Sequence, residues 1–216
     1  MTEQIRITIE ALKKNNMEAY YAEKKEEVLP IIKKLINKGD SVGLGGSVTL
    51  NEIGVIDEIR NGEYNLIDRY KKGLSREETV KCFKEALTAD VFLTSSNAVT
   101  EKGELINVDG NGNRVAAMIY GPDSVIVVVG VNKIVADAEQ GFRRIKEIAA
   151  PKNCSRLNCQ TYCLNKGECM AIADNMDSLS DGCGTKDRIC CSYTVQSYQR
   201  IKDRIKVIIC GEPLGY

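Results

Sequence analysis

Apolar positions recur at helical spacing in three early stretches: Ile5, Ile9 and Leu12; Val28, Ile31, Ile32, Leu35 and Ile36; and Ile53, Ile56 and Ile59. Steps of three and four residues place each set on one face of a helix. Ser75-Arg76-Glu77-Glu78 has the form of a capping box, and predicts a helix running through Val80, Phe83 and Leu87. A further helix is expected from near Asp137 to Ala149. Between these segments lie short apolar runs at residues 19–21, 41–44, 64–67, 91–94, 125–129 and 205–210, read as strands. The runs are continuous instead of alternating, so both faces of each strand are covered, as in a parallel sheet between helix layers. Glu101-Lys102-Gly103, set between Ala98-Val99 and Leu105-Ile106, predicts a hairpin turn. Residues 198–204 are expected to be helical. The pattern predicts an α/β fold with a central, mainly parallel sheet flanked by helices.

At residue 153 the periodicity stops. Residues 153–191 hold seven of the nine cysteines amid Asn, Asp, Gly and Ser, the composition of a long loop. The 216 residues suit a single domain, 1–216, with this cysteine-rich excursion before the last strand. Thirty basic residues balance thirty acidic ones, so charge supplies no reason to expect a nucleic acid or an anionic membrane as partner. The longest apolar run, residues 125–131, is too short to span a bilayer. Met1-Thr2-Glu3-Gln4-Ile5-Arg6 lacks the apolar core of a secretion signal, and a cytoplasmic protein is the expectation. Histidine is absent. Ser-His-Asp and Cys-His catalysis, histidine bases and imidazole metal sites are thereby excluded. Acid–base chemistry falls to Asp, Glu, Lys, Cys or Tyr.

Four polar segments follow the predicted strands. In Gly43-Leu44-Gly45-Gly46-Ser47-Val48-Thr49 the glycines allow close backbone approach to a bound group, and the hydroxyls offer donors to an anion. The same hydroxyls would also cap the next helix in a plain strand-to-helix turn. Glu52 falls in the first turn of that helix, where it either complements the dipole or serves as nucleophile or base at the mouth of a site. Thr94-Ser95-Ser96-Asn97 leaves a strand at its C-terminal end. Asn107-Val108-Asp109-Gly110-Asn111-Gly112-Asn113-Arg114 is dense in turn formers, and Asn111 or Asn113 would cap the helix after it. Gly130-Val131-Asn132-Lys133 brings a cation. Together they predict a crevice for a small anionic metabolite.

The cysteines are spaced Cys154-x4-Cys159-x3-Cys163-x5-Cys169, then Cys183-x6-Cys190-Cys191. Reducing cytosol disfavours a disulfide framework. Without histidine, a metal here would take thiolates, alone or with oxygen ligands, which suits zinc or an iron–sulfur cluster. A loop of free thiols is the alternative. Cys82 and Cys210 read as small buried hydrophobes.

The segments 44–54, 97–103, 109–117 and Gly130-Val131-Asn132-Lys133 together resemble the LUD-domain, or lactate-utilisation, family over essentially the whole chain. The resemblance implies the fold shared by ribose-5-phosphate isomerase, glucosamine-6-phosphate deaminase (NagB) and the CoA transferases. It also implies binding of a small anionic ligand by Gly45, Gly46, Ser47, Thr49, Asn97, Gly110, Asn111 and Asn113. If the protein is an enzyme, Glu52 and Asp109 are the candidate acid–base or nucleophilic groups, with Lys133 their electrostatic partner. The family implies a role beside iron–sulfur proteins in bacterial lactate oxidation. Its C-terminal cysteine pattern points to Cys163, Cys169, Cys183 and Cys190 as the metal ligands. Tyr162 stands where proline is usual, and an insertion separates Cys169 from Cys183. The competing expectation is a non-catalytic accessory or assembly subunit that carries, or docks on, an iron–sulfur or zinc centre through this loop.

Overall fold

The computed structural model describes residues 1–175, 178 and 180–216. Ten strands form two sheets: β1 Glu18–Ala22, β2 Ser41–Leu44, β3 Asn65–Ile67, β4 Val91–Thr94, β5 Ala98–Thr100, β6 Leu105–Asp109, β7 Ser124–Gly130, β8 Ile134–Val135, β9 Ser192–Gln196 and β10 Ile205–Cys210. The helices are α1 Glu3–Lys14, α2 Lys25–Leu35, α3 Val48–Glu52, α4 Val55–Asn61, α5 Arg76–Glu85, α6 Asn113–Ile119, α7 Ala138–Arg144, α8 Ala150–Leu157, α9 Tyr162–Lys166 and α10 Met170–Ala173. A π-helical stretch, Ile145–Ala149, joins α7 to α8.

The main sheet has six strands in the order β1-β10-β7-β4-β2-β3, and every pairing is parallel. The continuous apolar runs have the expected cause, since alternate side chains enter two different cores. Val125, Val127 and Val129 of β7 join Ile205, Val207 and Ile209 of β10 on the face that packs against Ile5 and Leu12 of α1. Ile126, Val128 and Ile208 point the other way, to Val28 and Ile32 of α2, Leu50 of α3 and Ile59 of α4. The second sheet, β8-β5-β6-β9, lies over the α1 side. Val99 and Leu105 close the first core, while Ala98, Ile106 and Val108 face Phe142 and Ile145 in a third.

Local signals explain most of the elements. The capping box at Ser75 and Glu78 is fully formed, and Asp137 caps α7 through Gln140 N. The turn at residues 101–103 joins antiparallel β5 and β6. Gly103 is required there, because its φ is +76° and a Cβ would lie 2.6 Å from Leu12 N.

Three expectations are corrected. Residues 198–204 form turns instead of a helix, because Gln199 N and Asp203 N donate to the carbonyls of Asn15 and Asn16 beside α1, and Asp203 takes a φ of +58°. The cysteine-rich segment is not one long loop: α8 extends into it and α9 and α10 follow, while strand β9 begins just after it. Cys82 is only half-buried, on a helix with no buried residue, whereas Cys210 is fully buried as expected.

Candidate functional site

Strand order places the site. From β2 the chain moves outward to β3, then returns to β4 on the other side of β2 and continues through β7 to β10. The β2–β4 junction is therefore a topological switch point, where the loops leaving adjacent parallel strands diverge and leave a crevice. The glycine turn, the loop at Ser95, Ser96 and Asn97, and Lys133 all stand at that edge. A cavity of about 310 Å³ opens there, and its floor includes Gly46, Ser47, Ser96, Asn97, Asp109 and Lys133. Gly110, Asn111 and Asn113 also line it.

Three expected residues lie outside the cavity lining. Gly45 sits behind the wall, donating to Leu93 O at 2.8 Å. A Cβ there would lie 2.5 Å from Thr94 Oγ1, so glycine permits the close approach of β2 to β4. Thr49 is fully buried and accepts from Lys133 Nζ at 2.9 Å. Glu52 is exposed, and its carboxylate accepts from Gly215 N at 2.7 Å. It holds the C-terminal segment instead of facing the cavity. Ser47 takes the capping role, accepting from Leu50 N at 3.2 Å.

Asp109 lines the cavity with both oxygens engaged. It accepts from the amides of Gly110 (3.0 Å), Arg114 (3.0 Å) and Val115 (3.2 Å). It thus does for α6 what Asn111 or Asn113 was expected to do, and the helix cap position itself is Gly112 at φ +77°. The carboxylate is shared between these backbone donors and the Arg114 guanidinium, whose Nε lies 3.9 Å from Oδ2.

The electrostatics come from side chains that the sequence did not single out. Arg114 is buried, and its guanidinium donates to Ser95 O (3.0 Å), Asn107 Oδ1 (2.5 Å), Asn97 Oδ1 (3.0 Å) and Val108 O (2.7 Å). Arg144 donates to Asn97 O at 2.6 Å and Asn132 O at 3.1 Å. These two rivets fix the Ser95–Asn97 and Asn132–Lys133 loops through neutral acceptors, and Arg114 Nε also lies 3.9 Å from Asp109 Oδ2. Arg69 reaches over the glycine turn from the β3–α5 connection, with its guanidinium carbon 4.4 Å from the Phe83 ring centroid and 5.4 Å from that of Tyr70. Among the described residues its guanidinium makes no hydrogen bond, a Cβ at Gly46 would lie 3.8 Å from it, and burial pushes its pKa down. Arg156 lines the opposite rim, donating to Tyr216 Oη at 3.0 Å and Asn153 Oδ1 at 2.9 Å.

Lys133 is 3 % exposed and donates to Thr49 Oγ1 and to Ser95 Oγ at 3.0 Å. Burial, reinforced by Arg144 and Arg114 against the pull of Glu52, pushes its pKa down to about 7. The unfolded chain keeps that proton to about pH 10.4. Between those values the unfolded state binds more protons, so Lys133 makes stability rise with pH across this window. Urea melts of the wild type and of Lys133→Met should diverge steadily from about pH 7 to about pH 10, the wild type gaining, while groups common to both chains cancel. A pH-independent difference would mean that the folded amine keeps its proton.

The cysteines gather at another corner. Cys154, Cys163, Cys169, Cys183 and Cys190 are all buried. Cys163 is in hydrogen-bond contact with Cys169 and Cys154. The Cys163 thiol and the amides of Ala171 and Ile172 hold the Cys169 pKa down. Arg188 ties the loop by donating to Cys190 O at 2.9 Å and Ser180 O at 2.7 Å. The donor chemistry is that of a soft metal, yet among the described residues no three Cys, Asp or Glu side chains converge on one coordination shell. Tyr193 packs 5.9 Å from Phe142, joining this corner to the third core.

Fold and crevice define an open α/β domain with its candidate site at the switch point of a parallel sheet. The chain belongs to the LUD-domain family, whose model matches residues 5–210. Among solved structures it is similar to a DUF162 family protein from Deinococcus radiodurans, at 16% identity and a TM-score of 0.49 over 97% of each chain. It is also similar to eIF2B beta from Chaetomium thermophilum, at 15% identity and a TM-score of 0.39 over 55% of this chain and 45% of that one. For eIF2B delta from the same organism the values are 19% and 0.37, over 56% of this chain and 50% of that one. No curated protein matches.

Proposed function

We propose that this LUD-domain protein serves lactate or related 2-hydroxy-acid utilisation by binding a small anionic metabolite in the β2–β4 crevice. One observation carries the reading. Arg69, Arg114 and Arg156 line a cavity, beside the buried amine of Lys133, whose only side-chain carboxylate among the described residues is Asp109, held by backbone amides and 3.9 Å from Arg114 Nε. A cavity of this size with an excess of cationic side chains suits a small carboxylate or phosphate ester, which would engage Arg69 and Arg156 and the amides of the glycine turn. Thermal melts against lactate, pyruvate, sugar phosphates and acyl-CoA test it. A true ligand at about 100 times its Kd should stabilise the fold by about 2.7 kcal/mol. No shift with any of these classes would overturn the reading.

The thiol corner supports a second reading, an accessory role in which the loop carries or docks on an iron–sulfur or zinc centre. The supporting observation is the burial of five cysteines in a segment with little other apolar content. The ligands would be Cys163, Cys169, Cys183 and Cys190, after a rearrangement that draws their sulfurs together; a bound metal would cross-link the loop. Anaerobically purified protein analysed for iron and zinc decides that point. Replacing Cys163 and Cys190 together by serine should speed proteolysis within residues 153–191 while the α/β body stays intact. Unchanged cleavage would show that these thiols do not organise the segment.

A further inference from the structure

We propose that Lys133 is a covalent catalytic residue whose amine forms an imine with the carbonyl of an anionic oxo compound held in the crevice. The inference rests on the anion-binding reading above and goes beyond it, because it names a reacting bond and narrows the ligand to anions that carry a ketone or aldehyde.

The geometry points to it through the hydrogen-bond partners around Nζ. Thr49 Oγ1 donates its proton to Leu214 O at 3.3 Å, and Ser95 Oγ donates to Ser96 O at 3.3 Å. Each hydroxyl is therefore an acceptor toward Lys133, at 2.9 and 3.0 Å. A neutral amine has two N–H donors, and both are taken. That leaves its lone pair without a donor among the described residues, on a side chain that lines the cavity. Among the described residues no side-chain carboxylate lies within ion-pair distance of Nζ. Glu52, the acid nearest in sequence to Thr49, is occupied by Gly215 N, and Asp109 by three amides. The charged groups that face Lys133 from its surroundings are Arg144 on α7 and Arg114 on α6, which disfavour the ammonium, and Glu52 on α3, which favours it. A desolvated lysine beside other cations is the usual environment of an imine-forming amine. At pH 7 the free-amine fraction here is on the order of 10³-fold that of a surface lysine.

The step balances without an added oxidant or reductant. The nitrogen lone pair adds to the carbonyl carbon, the carbonyl oxygen takes up two protons and leaves as water, and C=N replaces C=O. The acidic head of the same molecule, carboxylate or phosphate, would lie toward Arg69 and Arg156. Once formed, the protonated imine is an electron sink for cleavage or proton loss at the neighbouring carbon.

The test is reductive trapping on the full chain. Protein is incubated at about pH 8 with pyruvate or, in a parallel arm, dihydroxyacetone phosphate, then treated with cyanoborohydride and mapped by peptide mass. The expected product is one dominant adduct, the probe's mass less one oxygen atom, on the peptide containing Lys133. The arm that labels more efficiently identifies carboxylate or phosphate as the head group. Lys133→Arg should abolish that adduct. Arg69→Gln, which leaves the amine untouched, should cut labelling of Lys133 about tenfold without changing labelling of surface lysines. A thermal shift with pyruvate but no Lys133 adduct would overturn the inference and leave the anion site standing, with Lys133 acting as a plain ammonium. Adducts spread evenly over surface lysines would overturn it as well. Absence of an adduct with both probes would overturn it, and absence as well of any thermal shift with lactate, pyruvate, sugar phosphates and acyl-CoA would remove the anion-binding reading along with it.

Discussion

Arg114→Met is expected to destabilise the protein by about 3–5 kcal/mol, the cost of breaking a buried charged network by removing one partner. For a domain of this size the melting temperature should fall by roughly 10 °C. The guanidinium binds two backbone carbonyls and two asparagine side chains at once. Deleting it takes a charged donor from each of the four acceptors in a buried network, and every acceptor left short of a partner carries a desolvation penalty of about 1–3 kcal/mol. Arg114→Lys should recover less than half the loss, because a single ammonium cannot span acceptors on β6 and on the Ser95–Asn97 loop. Denaturation of the three proteins side by side checks this. A loss under about 1 kcal/mol for the methionine variant would mean that the loops are held by other contacts.

Arg69→Gln is expected to weaken anion binding about 10- to 100-fold while leaving the melting temperature nearly unchanged. A charge-assisted hydrogen bond contributes about 1.5–3 kcal/mol, and each 1.4 kcal/mol is tenfold in Kd. Stability should hardly move, since the side chain makes no hydrogen bond among the described residues. Its contacts with Phe83 and Tyr70 are worth about 1 kcal/mol each and are offset by relief of a half-buried charge. Calorimetric titration with whichever anion shifts the wild-type melt gives the ratio. Equal affinities would assign the anion to Arg156 or Lys133 instead. The contrast between the two arginines separates a side chain that builds the site from one that waits for a ligand.

The fold was legible where chemistry is local. Apolar spacing located α1, α2 and the six strands of the main sheet, and paired serine and glutamate located the cap of α5. Continuous apolar runs implied burial on both faces, and hence parallel pairing. Signals failed where distant contacts outweigh propensity. Residues 198–204 carry helical spacing, but their amides are claimed by carbonyls at Asn15 and Asn16. The run Tyr193-Thr194-Val195, β-branched and aromatic, was a strand signal masked by the cysteines before it.

The site divides in the same way. Glycines, hydroxyls and asparagines after predicted strands marked Gly46, Ser47, Asn97, Asp109 and Lys133 as cavity residues, because the ends of parallel strands share one edge whatever their order. Roles were another matter. An isolated Asp109 or Glu52 looks catalytic in a sequence, yet the structure commits both carboxylates to backbone amides. Arg69 and Arg156 carry no motif, and chain positions so far apart meet only through the strand order. The environment of Lys133 likewise depends on Thr49, Ser95, Arg114 and Arg144, contributed by four separate segments. Sequence alone determined which residues are buried in strands and which polar loops leave them, since those follow from spacing within a few residues. Tertiary structure decided which charges go unpaired and which amine loses its water, since desolvation and charge pairing are set by neighbours in space.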